Sequence, residues 1–204
     1  MSLFYELAYR IGFTPWEKAA THPAAASHIH TLFDREKQRL PVPIGRALDV
    51  GCGNGYWSVE LAKRGWEVVG IDLVATAVRR ARRLVAQTHV NVKIVQGDIT
   101  LLRGVGVGVN FRLVWDFGTI HGLTPEQRAA AGHEIDSVTT PDAIVLLLAW
   151  TPGRRALLPH GMNRDDVLSM LPGWHITEEE PFDASGLPVP LRNVGPRVYR
   201  LARK

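Results

Sequence analysis

The residues with the clearest chemical potential are Asp49, Gly51, Gly53 and Gly55, followed by Asp72. Residues 47–50 form an apolar run too short for a helix that stops at glycine, so they read as a buried strand opening into a tight turn. Gly51 and Gly53 permit positive φ and a close backbone approach, while Gly55 lets the next helix pack near the strand and present its free N–H groups. Asp72 closes the following strand, where a carboxylate accepts hydrogen bonds from a ribose diol. The glycines are evenly spaced by two, whereas in a dinucleotide fingerprint the third follows the second by three. His121 adds a group that can take a proton, because an imidazole near its ordinary pKa of ~6.5 is largely neutral at pH 7. Bracing a strand-to-helix turn is the competing role for that histidine.

These residues need a scaffold, and strand and helix alternate from Arg46 onward, the pattern of a parallel sheet covered on both faces. The expected elements are a strand over 68–71, a helix over 75–86 and a strand over 90–96 that ends in Gly97-Asp98-Ile99. A loop over 101–110 leads to a strand over 111–116. Thr124-Pro125-Glu126-Gln127 supplies an N-cap, a proline at the first helical position and a capping box. A buried strand over 141–150, a proline- and glycine-rich loop over 151–161 at the acceptor side and a helix over 163–171 capped by Asn163 follow. Two last strands, 174–182 and 197–202, flank a loop over 183–196. Ahead of all this, residues 2–11 have the spacing of a short amphipathic helix, and 22–40 are partly helical with Ile29, Leu32 and Phe33 facing inward.

A chain of 204 residues fits one α/β domain with a short accessory segment. Its longest apolar run, 143–150, falls far short of the ~20 residues that span a bilayer, and no basic-then-apolar leader opens the sequence, so the cytoplasm is the expected location. Cys52 stands alone, which rules out an intramolecular disulfide and a multi-cysteine metal site; inside the glycine turn it reads as a small structural residue. The net charge of +4 is concentrated in Arg79-Arg80-Ala81-Arg82-Arg83, read as the solvated face of a helix rather than a nucleic-acid stripe. His22, His28 and His30 invite a metal, but His28 and His30 would stand about 200° apart around a helix and no carboxylate completes a site. No metal is expected.

The run Asp49-x-Gly51-x-Gly53-x-Gly55, taken with Asp72, resembles the first motif and ribose acid of the class I S-adenosylmethionine-dependent methyltransferases. The resemblance implies a Rossmann-like three-layer αβα sandwich around a seven-stranded, mostly parallel sheet with a reversed last strand. It implies S-adenosylmethionine as cofactor and S-adenosylhomocysteine as product. The glycine turn would face the methionine part, Asp72 the ribose, and Asp98 the adenine amine with Ile99 against the ring; Leu73 and Asp116 would belong to the same cofactor site. Residues 116–128 resemble the D-R-G-x-x-H-x-L-P-P-E-x-R run of the thiopurine-methyltransferase-like, heterocycle and thiol methyltransferases, with Phe117 in place of arginine and Thr124 in place of a proline. Pro15-Trp16 is similar to the N-terminal Pro-Trp of that group, which would put Trp16 at the methionine end and make residues 1–40 a helical lid over a methyltransferase domain of residues 41–204.

The expected reaction is methyl transfer to a small-molecule hydroxyl, on a sugar or on a phenolic or heterocyclic ring, with His121 as base. An S- or N-methyltransferase acting on a thiol or heterocycle is the alternative. An RNA methyltransferase is the second alternative, weakened because no Asn- or Asp-Pro-Pro-aromatic run follows the fourth strand and Cys52 is misplaced for attack on cytosine. The expected partner is a small acceptor, with no nucleic acid, no membrane and room for a homodimer.

Overall fold

Seven strands form one sheet in the order β3-β2-β1-β4-β5-β7-β6. They are β1 (Arg46–Val50), β2 (Glu67–Asp72), β3 (Val92–Gln96), β4 (Phe111–Phe117), β5 (Thr139–Ala149), β6 (Trp174–Pro181) and β7 (Arg197–Arg203). Strands β1 to β5 pair in parallel, and β7 runs antiparallel to both β5 and β6. This is the Rossmann-like sheet with its reversed last strand. The computed structural model describes residues 2–12, 14, 16–17, 21–153, 160–183, 185 and 195–204, with side chains from residue 5 onward. Phe13, Pro15, Arg154, Arg155 and most of the loop over 183–196 lie outside the described residues.

The helices are α1 (Ser2–Ile11), α2 (Pro23–Arg39), α3 (Tyr56–Lys63), α4 (Ala75–Thr88), α5 (Pro125–Val138) and α6 (Arg164–Met170). Two capping boxes set helix starts: Thr124 and Gln127 exchange hydrogen bonds at α5, and Asn163 and Asp166 do the same at α6. His89, in the left-handed conformation, closes α4 two residues later than the sequence suggests, so β3 begins at Val92 rather than at residue 90. Strand β5 starts two residues early, at Thr139 rather than residue 141, because Thr139 already pairs with Phe111, ahead of a register shift.

Because β2 and β4 pair with opposite edges of β1, the chain reverses direction across the sheet there and leaves a crevice outside the carboxyl ends of these strands. The glycine turn, Asp72, Asp98 and the end of β4 all open onto it. Apolar residues divide between the two faces. Leu113 and Trp115 of β4 face a cluster with Ile29, Leu32 and Phe33 of α2 and Trp57 of α3, while Val114 faces a cluster with Ile135 and Val138 of α5.

The segment expected as a lid therefore has two parts. Helix α2 belongs to the sandwich, with Ile29 and Phe33 fully buried. Its polar edge is tied to the last two strands: Arg200 grips buried Glu36 with two bonds of 2.7 and 3.0 Å, Arg39 bridges Glu36 and Glu178, and Arg35 pairs with Glu180. Helix α1 lies on α4 instead. Thr76 donates to Glu6 at 2.6 Å, and Arg80 donates to the Tyr9 carbonyl at 2.7 Å while lying over the Tyr9 ring. Three arginines of the basic run are thus engaged within the chain, since Arg82 holds the Ile94 carbonyl and Arg79 the Thr76 hydroxyl.

Candidate active site

The glycine turn is enforced by what crowds it. Gly51 has φ +65°, and a Cβ there would stand 1.9 Å from the Thr119 hydroxyl oxygen, which itself donates to the Val50 carbonyl. Gly55 has φ +81° and faces Ala81 of α4, whose Cβ would lie 2.9 Å from an added side chain. The third glycine therefore admits α4 as well as starting α3. Asp72 closes the loop from the next strand: Oδ2 accepts from the Gly53 N–H at 2.9 Å and Oδ1 from the Val74 N–H at 2.8 Å. Each oxygen has a lone pair beyond these bonds, as a ribose acid requires.

Carboxylates crowd the floor of the crevice. Asp49 accepts from the Ser58 hydroxyl at 2.5 Å, which ties β1 to α3. Burial pushes Asp49 up to about 7 against that hydrogen bond, with the Asp72 charge adding to the rise. Asp116, fully buried, is also pushed up to about 7 by burial, against bonds from the turn amides and with Asp49 adding to the rise. Both values lie above those of unfolded aspartate, about 4. The folded state thus holds protons that the unfolded chain releases, and stability falls as pH rises through the window from about 4 to 7. The thermal midpoint should accordingly be lower at pH 8 than at pH 5.5, and Asp49→Asn, which can still accept from Ser58, should flatten the decline. Equal slopes for the two proteins in a calorimetric pH series would disprove this.

At the end of β4, Asp116 accepts from the Thr119 and Ile120 amides at 2.9 and 3.2 Å. Its oxygens hold the turn, whereas the family resemblance assigned it to the cofactor. His121 is 2 % exposed, and its Nδ1 accepts from the Trp150 N–H at 3.2 Å, with the Trp150 ring 5.0 Å away. A ring nitrogen that accepts from an amide carries no proton, so in the neutral imidazole the proton sits on Nε2. Arg128, buried beneath, donates to the carbonyls of His121 and Gly161, both at 2.8 Å. The arginine closing the 116–128 run was the sequence signal for this clamp, although the spacing alone gave it no role.

Toward the adenosine side, Asp98 Oδ1 caps the turn Ile99–Leu101 through the Thr100 amide and hydroxyl, at 2.9 and 2.8 Å. Ile99 is 6 % exposed and sits mainly in the core, whereas Leu73, beside Asp72, is 47 % exposed and offers the broader apolar surface. Trp16 packs edge-on against Tyr5 and Tyr9 at 5.2 and 5.8 Å and donates to the Tyr9 hydroxyl. Tyr9 and Glu17, which the sequence did not single out, stand over Gly53: the Tyr9 hydroxyl would lie 2.9 Å and a Glu17 oxygen 3.9 Å from a Cβ placed there.

On the other side of the crevice Phe117, half-buried, meets Phe182 edge-on at 5.9 Å, and His28 stacks on Phe182 at 5.0 Å while bonding Glu180. This wall joins β4, the end of β6 and α2; Phe117 was marked beforehand as a departure from the arginine and His28 only as a discounted metal ligand, while Phe182 was not singled out. Cys52 is buried, and burial pushes its thiol well up, so it is no nucleophile at neutral pH. Among the described residues no group of three or more His, Cys, Asp or Glu is arranged to hold a metal ion, and no helix is long and apolar enough to cross a membrane.

Residues 47–142 match the family model described as "Methyltransferase domain". The ribosomal RNA small subunit methyltransferase C of Alcanivorax borkumensis is 40% identical over 90 residues, 41% of this chain and 27% of that protein. Thiocyanate methyltransferase 1 of Brassica oleracea is 27% identical over 152 residues, 72% of this chain and 61% of the relative. The chain thus spans about a quarter to three fifths of the length of these relatives. Among solved structures, the 1,6-didemethyltoxoflavin-N1-methyltransferase of Burkholderia thailandensis, with bound S-adenosylhomocysteine, superposes with a TM-score of 0.76 at 18% identity and covers 100% of this chain and 87% of that one. The matched domain, the seven-stranded sheet and the glycine turn with its two acids agree: over residues 47–142 the chain is similar to a methyltransferase domain, and its fold is that of solved S-adenosylmethionine-dependent methyltransferases.

Proposed function

We propose that this chain transfers a methyl group from S-adenosylmethionine to a small planar ring acceptor, at an acidic ring hydroxyl. The residues present fit the cofactor. The glycine turn brings bare backbone at Gly51 to Gly55 to the crevice, Asp72 keeps a lone pair on each oxygen beside it, and Leu73 presents apolar surface next door. Bound there, S-adenosylmethionine supplies an electrophilic methyl carbon. The chain's own task is to hold the acceptor in line with it and to exclude water.

The single observation behind the acceptor class is Phe117 in its wall with Phe182 and His28. Aromatic faces attract planar rings by offset or edge-on packing, and a phenylalanine where similar sequences carry arginine offers nothing to a small anion. The Trp150 bond at His121 Nδ1 supports a positioning role for His121 rather than a base. A ring hydroxyl acidic enough to ionise by itself needs no base. The same bond favours a second reading, a thiol acceptor, and the relative named for thiocyanate gives that reading further support. An RNA substrate is disfavoured by the engagement of Arg79, Arg80 and Arg82 inside the chain.

The test is a transfer assay over ring hydroxyls, aryl thiols and sugars, with wild type, Phe117→Arg and His121→Gln. Phe117→Arg should raise KM for neutral rings roughly tenfold, the scale of one lost apolar contact. His121→Gln still accepts from the Trp150 amide and should keep most of kcat. A fall of about a hundredfold in kcat would restore the base, and sugars outperforming rings would refute the acceptor class.

A further inference from the structure

Two histidines border the acceptor side of the crevice, and they differ in which nitrogen is occupied. His121 Nδ1 takes the Trp150 N–H. His28, on α2, stacks on Phe182 with ring centroids 5.0 Å apart and planes 20° from parallel, and its Nε2 meets Glu180 Oε1 at 3.4 Å. An ionised carboxylate can only accept, so in the neutral imidazole the proton sits on Nε2 and Nδ1 keeps a lone pair. Among the described residues no hydrogen bond reaches that Nδ1, and 20 % of the side chain is open. Burial raises Glu180, but bonds from Arg35 and His28 outweigh it and hold its carboxyl below the usual range. The other groups around His28 are Arg35, paired with Glu180, and Asp183 and His22. Asp183 is lowered chiefly by bonds from Ser185 and further by the charges of His22 and His28. A positive imidazole at this place would therefore face two carboxylates.

We propose that His28, oriented by Glu180, takes the proton from acceptor hydroxyls too weakly acidic to ionise on their own. This rests on the ring-hydroxyl reading above and widens its range. The acceptor O–H bond breaks, the proton binds the Nδ1 lone pair, and the electron pair stays on the oxygen that becomes the nucleophile. The lone pair of a ring nitrogen lies in the ring plane, and here that plane runs along the face of Phe182. Nδ1 thus looks along the aromatic wall rather than into it, toward the rim of a planar acceptor packed against Phe117 and Phe182. Glu180 restrains the imidazole and balances the charge it gains, the part a carboxylate plays behind any histidine base. Base and orienting acid come from α2 and β6, elements far apart in sequence, so no local motif marks the pair.

The experiment follows methyl transfer by wild type and His28→Gln over a series of para-substituted phenols graded in acidity. Glutamine can still donate to Glu180 but offers no basic nitrogen, so the variant should melt close to wild type. Its loss in kcat should grow along the series, from about threefold for the most acidic phenol to about a hundredfold for the least, the scale of a lost general base, with KM little changed. A second readout needs no turnover. With S-adenosylhomocysteine present, a nitrophenol is added at a pH where the free phenol is mostly protonated; wild type should develop the phenolate absorption band and His28→Gln should not. Glu180→Gln keeps a bond to Nε2 without the charge and serves as an independent second variant, expected between the two in both readouts. A loss that is uniform across the series, a phenolate band that survives in His28→Gln, or a band missing from wild type would show that His28 takes no proton. Should wild type methylate thiols but none of the phenols, the ring-hydroxyl reading itself fails and this proposal with it.

Discussion

Gly51→Ala is expected to destabilise the protein by about 3 kcal/mol and to abolish measurable binding of S-adenosylmethionine. Two costs add. A left-handed conformation costs a residue with a Cβ about 1–2 kcal/mol, and Gly51 sits at φ +65°. The new carbon would also stand 1.9 Å from the Thr119 oxygen and under 3 Å from its Cβ and Cγ2. Threonine cannot swing aside, because its backbone is held by Asp116 and its hydroxyl by the Val50 carbonyl, so relief of the overlap must displace the turn after β4, at an overpacking cost of about 1–3 kcal/mol. The three atoms nearest the added carbon all belong to Thr119, which makes the diagnosis testable by a double-mutant cycle. Thr119→Gly in the Gly51→Ala background should recover the overlap share and leave the φ share, a coupling of about 1–2 kcal/mol. Additive losses in urea denaturation would show that the two residues do not collide.

The second large effect is Arg128→Met, expected to cost about 3–4 kcal/mol and to lower kcat as well. The guanidinium joins two segments distant in sequence, through bonds of 2.8 Å to the carbonyls of His121 and Gly161. A hydrogen bond to a charged group contributes about 1.5–3 kcal/mol, and a buried carbonyl left without a partner adds its own desolvation cost. Methionine keeps most of the stem volume, so the loss reports the bonds rather than a cavity. Lysine should recover less than half, because one ammonium cannot reproduce the fork that reaches both carbonyls. A loss below about 1 kcal/mol for the methionine variant in denaturant melts would mean that the clamp contributes little.

The alternation of short apolar runs with helical stretches was enough to read the doubly covered sheet, and the paired turn residues at Thr124 and Asn163 placed two helix starts because capping is local chemistry. The spacing of Gly51, Gly53 and Gly55 pointed to the fold family because each glycine answers a steric demand of its own. What stayed hidden was set by residues far apart in sequence. Thr119 crowding Gly51, Arg128 reaching Gly161 and Arg80 holding α1 are contacts between elements whose relative placement no local pattern encodes. His121 illustrates the same limit. Its type and place in the motif suggested a proton acceptor, but the tautomer depends on a backbone amide 29 residues away in β5's exit. Glu17 was passed over for the opposite reason: nothing in its neighbourhood of sequence announces that one oxygen will be sealed over a glycine.

The grip of Arg200 on Glu36 and of Arg35 on Glu180 has a bearing on how the molecule is made. These partners are separated by 164 and 145 positions, and Glu36 is 2 % exposed. During synthesis at the ribosome, helix α2 emerges long before β6 and β7, and beyond the Arg39–Glu36 pair within the helix this edge has no counterpart among the described residues until those strands are made. Nascent α2 therefore waits, and the aromatic wall that includes His28 is assembled only when the final hairpin arrives. Contacts of such separation slow folding, and they make completion of the last strands the event that finishes the acceptor side of the crevice.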